Sequence, residues 1–136
     1  MSLGVTIPSM PSTCQQTIAE YFSAIRAMDC DRFLGVFAPD AVSHDPVGAP
    51  PHVGHGALRV FFEGICAGVT ELNLAEQSVY MGGNSAAIKW IANGKGKNGK
   101  PVTFEGVDVI DCNEEGKIVL VRAFWDPGPV MAILQS

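Results

Sequence analysis

The sequence predicts an α+β domain in which helices from the first half of the chain pack on a mostly antiparallel sheet from the second half. Apolar residues recur at three- and four-residue spacing up to about residue 67. From residue 72 onward, β-forming runs alternate with glycine- and asparagine-containing turns. No linker or internal repeat divides the chain, so we expect residues 1–136 to form a single domain.

The composition favours a well-packed globular protein. Hydrophobic residues make up 47% of the chain and charged residues 17%, which is unlike a disordered segment. The net charge of −5 argues against nucleic acid as a partner, because phosphate binding needs clustered Lys and Arg. No apolar run approaches the roughly 20 residues that span a membrane, and no secretory signal is evident. A cytoplasmic protein is therefore expected.

The first predicted helix runs from about Ser12 to Ala27. Ser12 and Thr13 are each followed three residues later by glutamine, which gives two registers for a capping box. One apolar face is predicted, formed by Ile18, Tyr21, Phe22, Ile25 and Met28. Tyr21 lies in the middle of this face, so its hydroxyl needs a partner inside the protein. By itself that pattern is typical of a core tyrosine bonded to a backbone carbonyl.

Two more helices and a short strand are predicted before residue 70. Asp29 or Asp31 can cap a short helix that continues to about Phe37. A short strand, Ala41–His44, follows and leads into a proline-rich loop. The third helix is predicted from Ala57 to about Ala67, after a glycine-containing segment.

Four strands are predicted in the second half of the chain. They are Leu72–Met81, Ala86–Ala92, Val102–Ile110 and Lys117–Trp125. Residues 93–100 are predicted to form a long hairpin tip. The lysines of this tip fit a solvated loop better than a phosphate site, because its glycines do not match a P-loop.

Asp45 is the first candidate catalytic residue. It follows the first short strand and precedes Pro46, and the sequence has no Lys or Arg between Ala41 and Leu58. Removal from water without a cation raises the pKa of a carboxyl, which makes the carboxylate a better general base. The alternative is that Asp45 only begins a turn, as Asp-Pro often does.

Asp108 is the second candidate, because aspartate is unusual in the middle of a strand. Two-residue periodicity places it on an apolar face with Val102, Phe104, Gly106 and Ile110. It is either exposed on an edge strand or buried and protonated. A protonated carboxyl donates one hydrogen bond, as a tyrosine phenol does. Two such donors directed at one oxygen form an oxyanion hole.

The cysteines and histidines do not indicate a metal site. Cys14, Cys30, Cys66 and Cys112 are scattered without a C-x-x-C pair, so free thiols in a reducing cytosol are expected. The three-residue spacing of His52 and His55 would suit a metal only on a helix. Prolines and glycines surround them, so surface or loop histidines are expected.

Together these residues resemble the bacterial ketosteroid isomerases. The resemblance extends from about Ile18 to Trp125, with landmarks in EYFSAIRAMD, SHDPVGAPP and GVDVID followed by NEEGKIVLVRAFW. It implies that Asp45 transfers a proton within a 3-oxo-Δ5 steroid while Tyr21 and neutral Asp108 bind the dienolate oxygen. It also implies a cone formed by helices and a strongly curved sheet, and a homodimer formed through that sheet. No cofactor or metal is implied.

The resemblance further implies an apolar cavity for a flat steroid-like molecule. The residues expected to line it are Phe37, Phe62, Phe104, Val121, Ala123 and Trp125. Ordinary core packing is the alternative for each of them. The chain departs from well-known members at Phe62, where they have a second tyrosine bonded to the first. Phe37 likewise lacks a hydroxyl that some members have.

Two other functions remain open from the sequence. The wider superfamily includes polyketide cyclases, and epoxide hydrolases that activate water with an Asp–Arg–Asp set. Arg59 and Arg122 are available, but Arg122 alternates with Val121 and Ala123 and should point away from the cavity. A non-catalytic module that binds an apolar ligand is the third possibility.

Overall fold

The computed structural model describes residues 13–136, which form four helices packed on one six-stranded sheet. The helices are α1 (Thr13–Arg26), α2 (Cys30–Gly35), α3 (Gly54–Gly68) and α4 (Pro127–Leu134). The strands are β1 (Phe37–His44), β2 (His52–Val53), β3 (Val69–Gly82), β4 (Ser85–Gly96), β5 (Pro101–Cys112) and β6 (Ile118–Phe124). The predicted α+β class is confirmed, and the proposed Ser12 cap lies outside the described residues.

The sheet is mixed and open, with strand order β2-β1-β6-β5-β4-β3. Every neighbouring pair is antiparallel except β1 and β6, which are parallel. The helix α1 packs on β3, and α3 packs on β1. The hydrophobic core lies between these helices and the inner face of the sheet, with Phe22, Phe33 and Phe62 among its largest fully buried residues.

The helix ends follow local capping chemistry. Asp29 caps α2, because its side chain accepts a hydrogen bond from the backbone N–H of Arg32 at 3.1 Å. This settles the choice that the sequence left between Asp29 and Asp31. The helix α3 begins at Gly54, earlier than predicted. Of the helices in residues 13–136, none is long and apolar enough to cross a membrane.

The helix α4 was not predicted, although its start carries a recognisable signal. Asp126 accepts a hydrogen bond from the N–H of Gly128 at 3.2 Å, and Pro127 is the first helical residue. An N-cap aspartate followed by proline is a typical helix start. The segment after it, Val130–Leu134, is short and uniformly apolar, so periodicity alone does not distinguish it from a strand.

Several strand boundaries differ from the prediction because tertiary pairing extends the strands. The strand β1 begins at Phe37 and not at Ala41, since Phe37 pairs with Ile118 of β6. A register shift between Phe37 and Val42 accommodates Pro39, which has no N–H for the ladder. Likewise, β4 continues to Gly96 and β5 begins at Pro101. The hairpin tip predicted for residues 93–100 is therefore reduced to residues 97–100.

The expectation of four free cysteines is wrong for two of them. Cys14, in the first turn of α1, forms a disulfide with Cys112 at the end of β5. Their Cα atoms are 5.9 Å apart, within the usual range for a disulfide. The packing of α1 across the sheet brings together residues that are 98 positions apart in the chain. Cys30 and Cys66 remain free thiols.

Candidate active site

A cavity of about 550 Å³ between the helices and the sheet brings the three predicted catalytic residues together. Tyr21 comes from α1, Asp45 follows β1, and Asp108 lies in the middle of β5. Its volume is within the range of pockets for drug-sized molecules, and its lining is largely apolar. The three side chains therefore bring two carboxyls and a phenol into a largely apolar cavity.

Tyr21 is held by aromatic neighbours on the buried face of α1. Its ring centroid lies 5.2 Å from that of Phe22, 5.6 Å from Phe33 and 5.9 Å from Phe37. Burial raises the pKa of its phenol well above the ordinary value, and the nearby charges of Asp108 and Asp45 raise it further. The phenol therefore stays protonated at neutral pH and can donate a hydrogen bond into the cavity.

Asp45 is partly exposed and borders the cavity just beyond the end of β1. The indole Nε1 of Trp125 donates a hydrogen bond to its Oδ1 at 2.7 Å, and the peptide bond to Pro46 is cis. Burial raises the pKa of Asp45, although the Trp125 hydrogen bond and the charge of His52 act in the opposite direction. Its carboxylate is accordingly a stronger base than that of an exposed aspartate.

Asp108 is only 2% exposed on the inner face of β5, as the two-residue periodicity predicts. The indole Nε1 of Trp90 donates a hydrogen bond to its Oδ1 at 2.8 Å. Burial raises the pKa of Asp108 to about 8, the charge of Asp45 adds to the increase, and the Trp90 hydrogen bond opposes it. Asp108 is thus mostly neutral at physiological pH.

The Trp90 hydrogen bond also favours one oxygen of Asp108 as the site of the proton. An indole N–H only donates, so the Oδ1 atom that it contacts must act as an acceptor. This favours Oδ2 as the protonated oxygen of neutral Asp108, with that O–H available as a donor. Sequence reasoning missed this role of Trp90. A usable signal was its place on β4, because Trp90 is two residues after Ile88, and Ile88 pairs with Asp108.

Gly106 makes room for the two tryptophans. It pairs with Trp90 across the β4–β5 ladder and shares the inner face with Asp108. A Cβ atom built at Gly106 would lie 2.5 Å from Cζ2 of Trp90 and 2.9 Å from Cβ of Trp125. Any side chain at residue 106 would therefore displace the indoles that contact the two acids.

Only some of the residues expected to line the cavity do so. Phe104 and Trp125 line it, with ring centroids 5.3 Å apart. The other four, which are not among its lining residues, are buried in the core: Phe37, Phe62, Val121 and Ala123. Phe33 explains the placement of two of them, because its ring packs on Phe62 at 4.6 Å and on Phe37 at 5.0 Å.

The cavity also has lining residues that the sequence did not indicate. Beyond Trp90, they include residues from α1, α3, β3 and α4 and the residue that follows α4: Ile25, Phe61, Leu72, Leu74, Pro127, Val130, Met131, Leu134 and Gln135. Periodicity identified several of these positions as apolar. It could not show that they face an open cavity and not the solid core.

The arginines considered for water activation lie outside the cavity. Arg59 pairs with exposed Asp31 at 3.3 Å, and Arg122 is exposed on the outer face of β6, as predicted. Within residues 13–136, no Arg or Lys lines the cavity. An Asp–Arg–Asp arrangement for activating water is therefore not formed here.

The two histidines of the proline-rich segment are placed by packing and are not loop residues. His52 belongs to β2, and its ring lies 4.5 Å from the ring of Phe61. His55 lies in the first turn of α3, with Nε2 at 3.0 Å from the carbonyl oxygen of Phe37. In the described part of the chain, no cluster of three His, Cys, Asp or Glu residues is placed to bind a metal.

Two comparisons with known proteins indicate the family to which this sequence is similar. The profile of the SnoaL-like domain matches residues 18–121. The chain is also 32% identical over 125 residues to a steroid Delta-isomerase of Nocardioides simplex, which covers 90% of this chain and 97% of that protein.

Solved structures show the same fold. An NTF2-like protein of unknown function from Burkholderia pseudomallei superposes with a TM-score of 0.81 at 20% identity, covering 93% of this chain and 100% of that chain. The epoxide hydrolase/cyclase-like enzyme SalBIII, which acts in pyran ring formation in the polyether salinomycin, gives a TM-score of 0.75 at 29% identity. That superposition covers 83% of this chain and 90% of SalBIII.

Proposed function

The chain belongs to the SnoaL-like domain family, and on that premise we propose that it is a steroid Δ-isomerase acting on a 3-oxo-Δ5 steroid. The resemblance to ketosteroid isomerases seen in the sequence is confirmed by this family match and by the 32% identical relative. One observation supports the activity above all others. The same apolar cavity contains a basic carboxylate, Asp45, a neutral carboxyl, Asp108, and a protonated phenol, Tyr21.

The proposed reaction moves one proton within the substrate. Asp45 removes a proton from the carbon between the ketone and the double bond, and the electron pair shifts to the ketone oxygen. The resulting dienolate oxygen accepts hydrogen bonds from the Tyr21 hydroxyl and from Oδ2–H of Asp108. Asp45 then returns the proton to the far carbon of the conjugated system, which gives the Δ4-enone. The proton is conserved, so the net reaction needs no oxidant or reductant.

The opposite protonation states of the two acids are what this chemistry requires. A base must be ionised to accept the proton, whereas a donor to the oxyanion must be neutral. Removing a single oxyanion donor typically costs about 2.7–4 kcal/mol of transition-state stabilisation. Burial accounts for the neutral state of Asp108, because no cation lines the cavity among residues 13–136 to stabilise a second negative charge.

The proposal is tested by adding 5-androstene-3,17-dione and following the ultraviolet absorbance of the conjugated enone. The wild-type protein should show turnover, and Asp45→Asn should reduce kcat by about 10³-fold or more, because the base is removed. Asp40→Asn is the matched control, since Asp40 is exposed on β1, the strand that leads to Asp45. Absence of turnover in the wild type would refute the isomerase, and equal rates in both variants would show that Asp45 is not the base.

The two donors give a second test in the same assay. Tyr21→Phe and Asp108→Ala should each lower kcat about 10²–10³-fold and change KM much less, because each donor acts as negative charge develops on the oxygen. Loss confined to KM would indicate that these residues only bind the substrate.

A cyclase-like activity is the second candidate, supported by the 29% identity to SalBIII. A base and two hydrogen-bond donors could also stabilise an enolate formed from a polyketide. Tight binding of a planar phenol such as equilenin, without turnover of the steroid, would favour this candidate or a ligand-binding module.

The proposed partner is an apolar small molecule, together with a second copy of the chain. The outer face of the sheet carries Val107 and Phe124, which pair across β5 and β6 and are 38% and 44% exposed. Burial of this pair in a homodimer would remove them from water. Light scattering should give twice the chain mass, and Phe124→Lys should shift the protein toward the monomer if this face is the interface.

A further inference from the structure

The helix α4 forms part of the cavity wall, although it lies outside the segment that the family profile matches. Its side chains Pro127, Val130, Met131 and Leu134 line the same cavity as the two acids. The family match ends at residue 121, before α4 begins. The part of this wall that α4 contributes is apolar along its cavity side.

Both ends of α4 are fixed in place. At its start, Trp125 is two residues before Pro127 and is hydrogen-bonded to Asp45. At its end, the side-chain amide of Asn98 donates to the carbonyl oxygens of Ile133 and Leu134, at 2.9 and 3.3 Å. Asn98 belongs to the turn between β4 and β5. The helix thus extends from the base to that turn.

The cavity extends in the same direction. Val102 lines it six residues before Asp108 on β5, which places the two Cα atoms about 20 Å apart along the strand. An eight-residue helix such as α4 is about 12 Å long and covers most of that distance. The cavity is therefore elongated, with the acids at one end and α4 along its length.

The two ends of the cavity differ in chemistry. The acid end has Tyr21, Asp45 and Asp108, whereas the wall toward the turn is formed by apolar residues of β3, β5 and α4, such as Leu72, Val102 and Leu134. Gln135 also lines the cavity, but it is exposed and lies just beyond α4, outside the apolar wall itself. A hydroxyl placed against the apolar wall would lose its hydrogen bonds to water without gaining a partner.

We propose that α4 contacts the end of the steroid remote from its ketone, and that it selects substrates in which this end is apolar over those that carry a hydroxyl there. This inference rests on the proposed function for the orientation of the substrate, with its ketone at the acids. Met131 and Leu134 are the residues of α4 that contact the remote end.

The experiment compares two product-type ligands that differ by one hydroxyl group. Androst-4-en-3-one has no oxygen at carbon 17, and testosterone has a hydroxyl there. Binding is measured by quenching of the fluorescence of Trp90 and Trp125, the two tryptophans of the chain. The wild-type protein should bind androst-4-en-3-one about tenfold more tightly than testosterone.

Two variants of α4 distinguish the effect of changing the cavity wall from a general effect of changing the helix. Met131→Gln is close to isosteric and places an amide in the wall, so the preference should fall to about threefold or less. Ala132→Gln introduces the same amide at an exposed residue that does not line the cavity, and it should keep the wild-type preference. Unfolding temperatures of both variants establish that each is folded under the assay conditions.

Several outcomes would overturn the inference. The wild type could bind both ligands equally, bind neither, or bind testosterone more tightly, as a hydrogen bond from Gln135 would give. Both variants could also lose the preference to the same extent. The isomerase assay distinguishes failure of the inference about α4 from failure of the proposed function. Turnover without discrimination refutes the role of α4 alone, whereas discrimination without turnover supports α4 and refutes the isomerase.

Discussion

At the scale of single residues, two tryptophans contact two aspartates, and yet the aspartates differ in protonation. Trp125 donates to Asp45 and Trp90 donates to Asp108, at nearly the same distance. The difference comes from the surroundings, because Asp108 is only 2% exposed and feels the negative charge of Asp45, whereas Asp45 is partly exposed and feels the charge of His52. The hydrogen bonds orient the carboxyls, and burial together with mutual repulsion determines which of them is charged.

This arrangement predicts a bell-shaped dependence of kcat/KM on pH. Activity should fall at low pH as Asp45 gains a proton, and should fall above about pH 8 as Asp108 loses one. Because the two acids interact, these are the apparent pKa values of the pair. Asp108→Asn keeps a neutral donor that cannot ionise, so it should retain substantial activity and lose the alkaline decline. An unchanged alkaline decline in that variant would assign it to another group.

The tryptophans should affect opposite sides of the same profile. The Trp90 hydrogen bond lowers the pKa of Asp108, so Trp90→Phe should move the alkaline decline to higher pH and leave the acid side unchanged. Trp125→Phe should instead move the acid side to higher pH, because the Trp125 hydrogen bond lowers the pKa of Asp45. Each variant should lose up to about tenfold in maximal kcat/KM.

Each of these variants is the control for the other. A merely structural effect of replacing an indole would lower the whole profile without moving either side. If both variants shift the same side, the assignment of one tryptophan to each acid is wrong.

At the scale of secondary-structure elements, α2 offers a direct comparison of two aspartates. Asp29 accepts a hydrogen bond from the Arg32 N–H, whereas Asp31 forms only an exposed ion pair with Arg59. Asp29→Ala should lower the free energy of unfolding by about 1 kcal/mol. Asp31→Ala should change it by less than about 0.5 kcal/mol, since exposed ion pairs contribute little. Urea titrations of both variants measure the difference, and equal losses would contradict the assignment of the cap.

Much of the element order could be predicted from the sequence because it depends on local chemistry. Helical periodicity located α1, and two-residue periodicity placed Asp108 on the inner face of β5. The early start of β1 could not be predicted, since it depends on pairing with β6, which is remote in the chain. The Cys14–Cys112 disulfide was missed for the same reason.

The cavity itself was the least predictable part of the site. Tyr21, Asp45 and Asp108 were recognised through family resemblance, and the structure brings them to one cavity. Phe37 and Phe62 were expected at its wall, but Phe33 packs between them in the core. Which apolar residues face a cavity and which face each other depends on the packing of several elements, and a one-dimensional pattern does not contain that information.

At the scale of the whole molecule, the burial of Asp108 should make stability depend on pH. Its folded-state pKa of about 8 lies above its ordinary unfolded value, so between these two values the folded state holds a proton that the unfolded state has released. Stability therefore decreases as pH rises from about 4 to about 8, and the full penalty is present above that range.

The corresponding measurement is a series of thermal unfolding curves. Asp108→Asn has no carboxyl to ionise, so its Tm should exceed that of the wild type by roughly 10 °C near pH 8 and by little near pH 4. Asp40→Asn, at an exposed residue, should show no such trend. A Tm difference that is constant across this range would mean that Asp108 is not protonated in the folded protein.

The parallel pairing of β1 with β6 has a consequence for synthesis on the ribosome. Residues 37–44 are translated well before their partner strand, Ile118–Phe124. Until then β1 has only the two-residue β2 beside it, and Asp45 has no Trp125 to bind. The nascent chain must therefore keep this strand edge unpaired until β6 has been translated, which is the interval in which a chaperone has the most to protect.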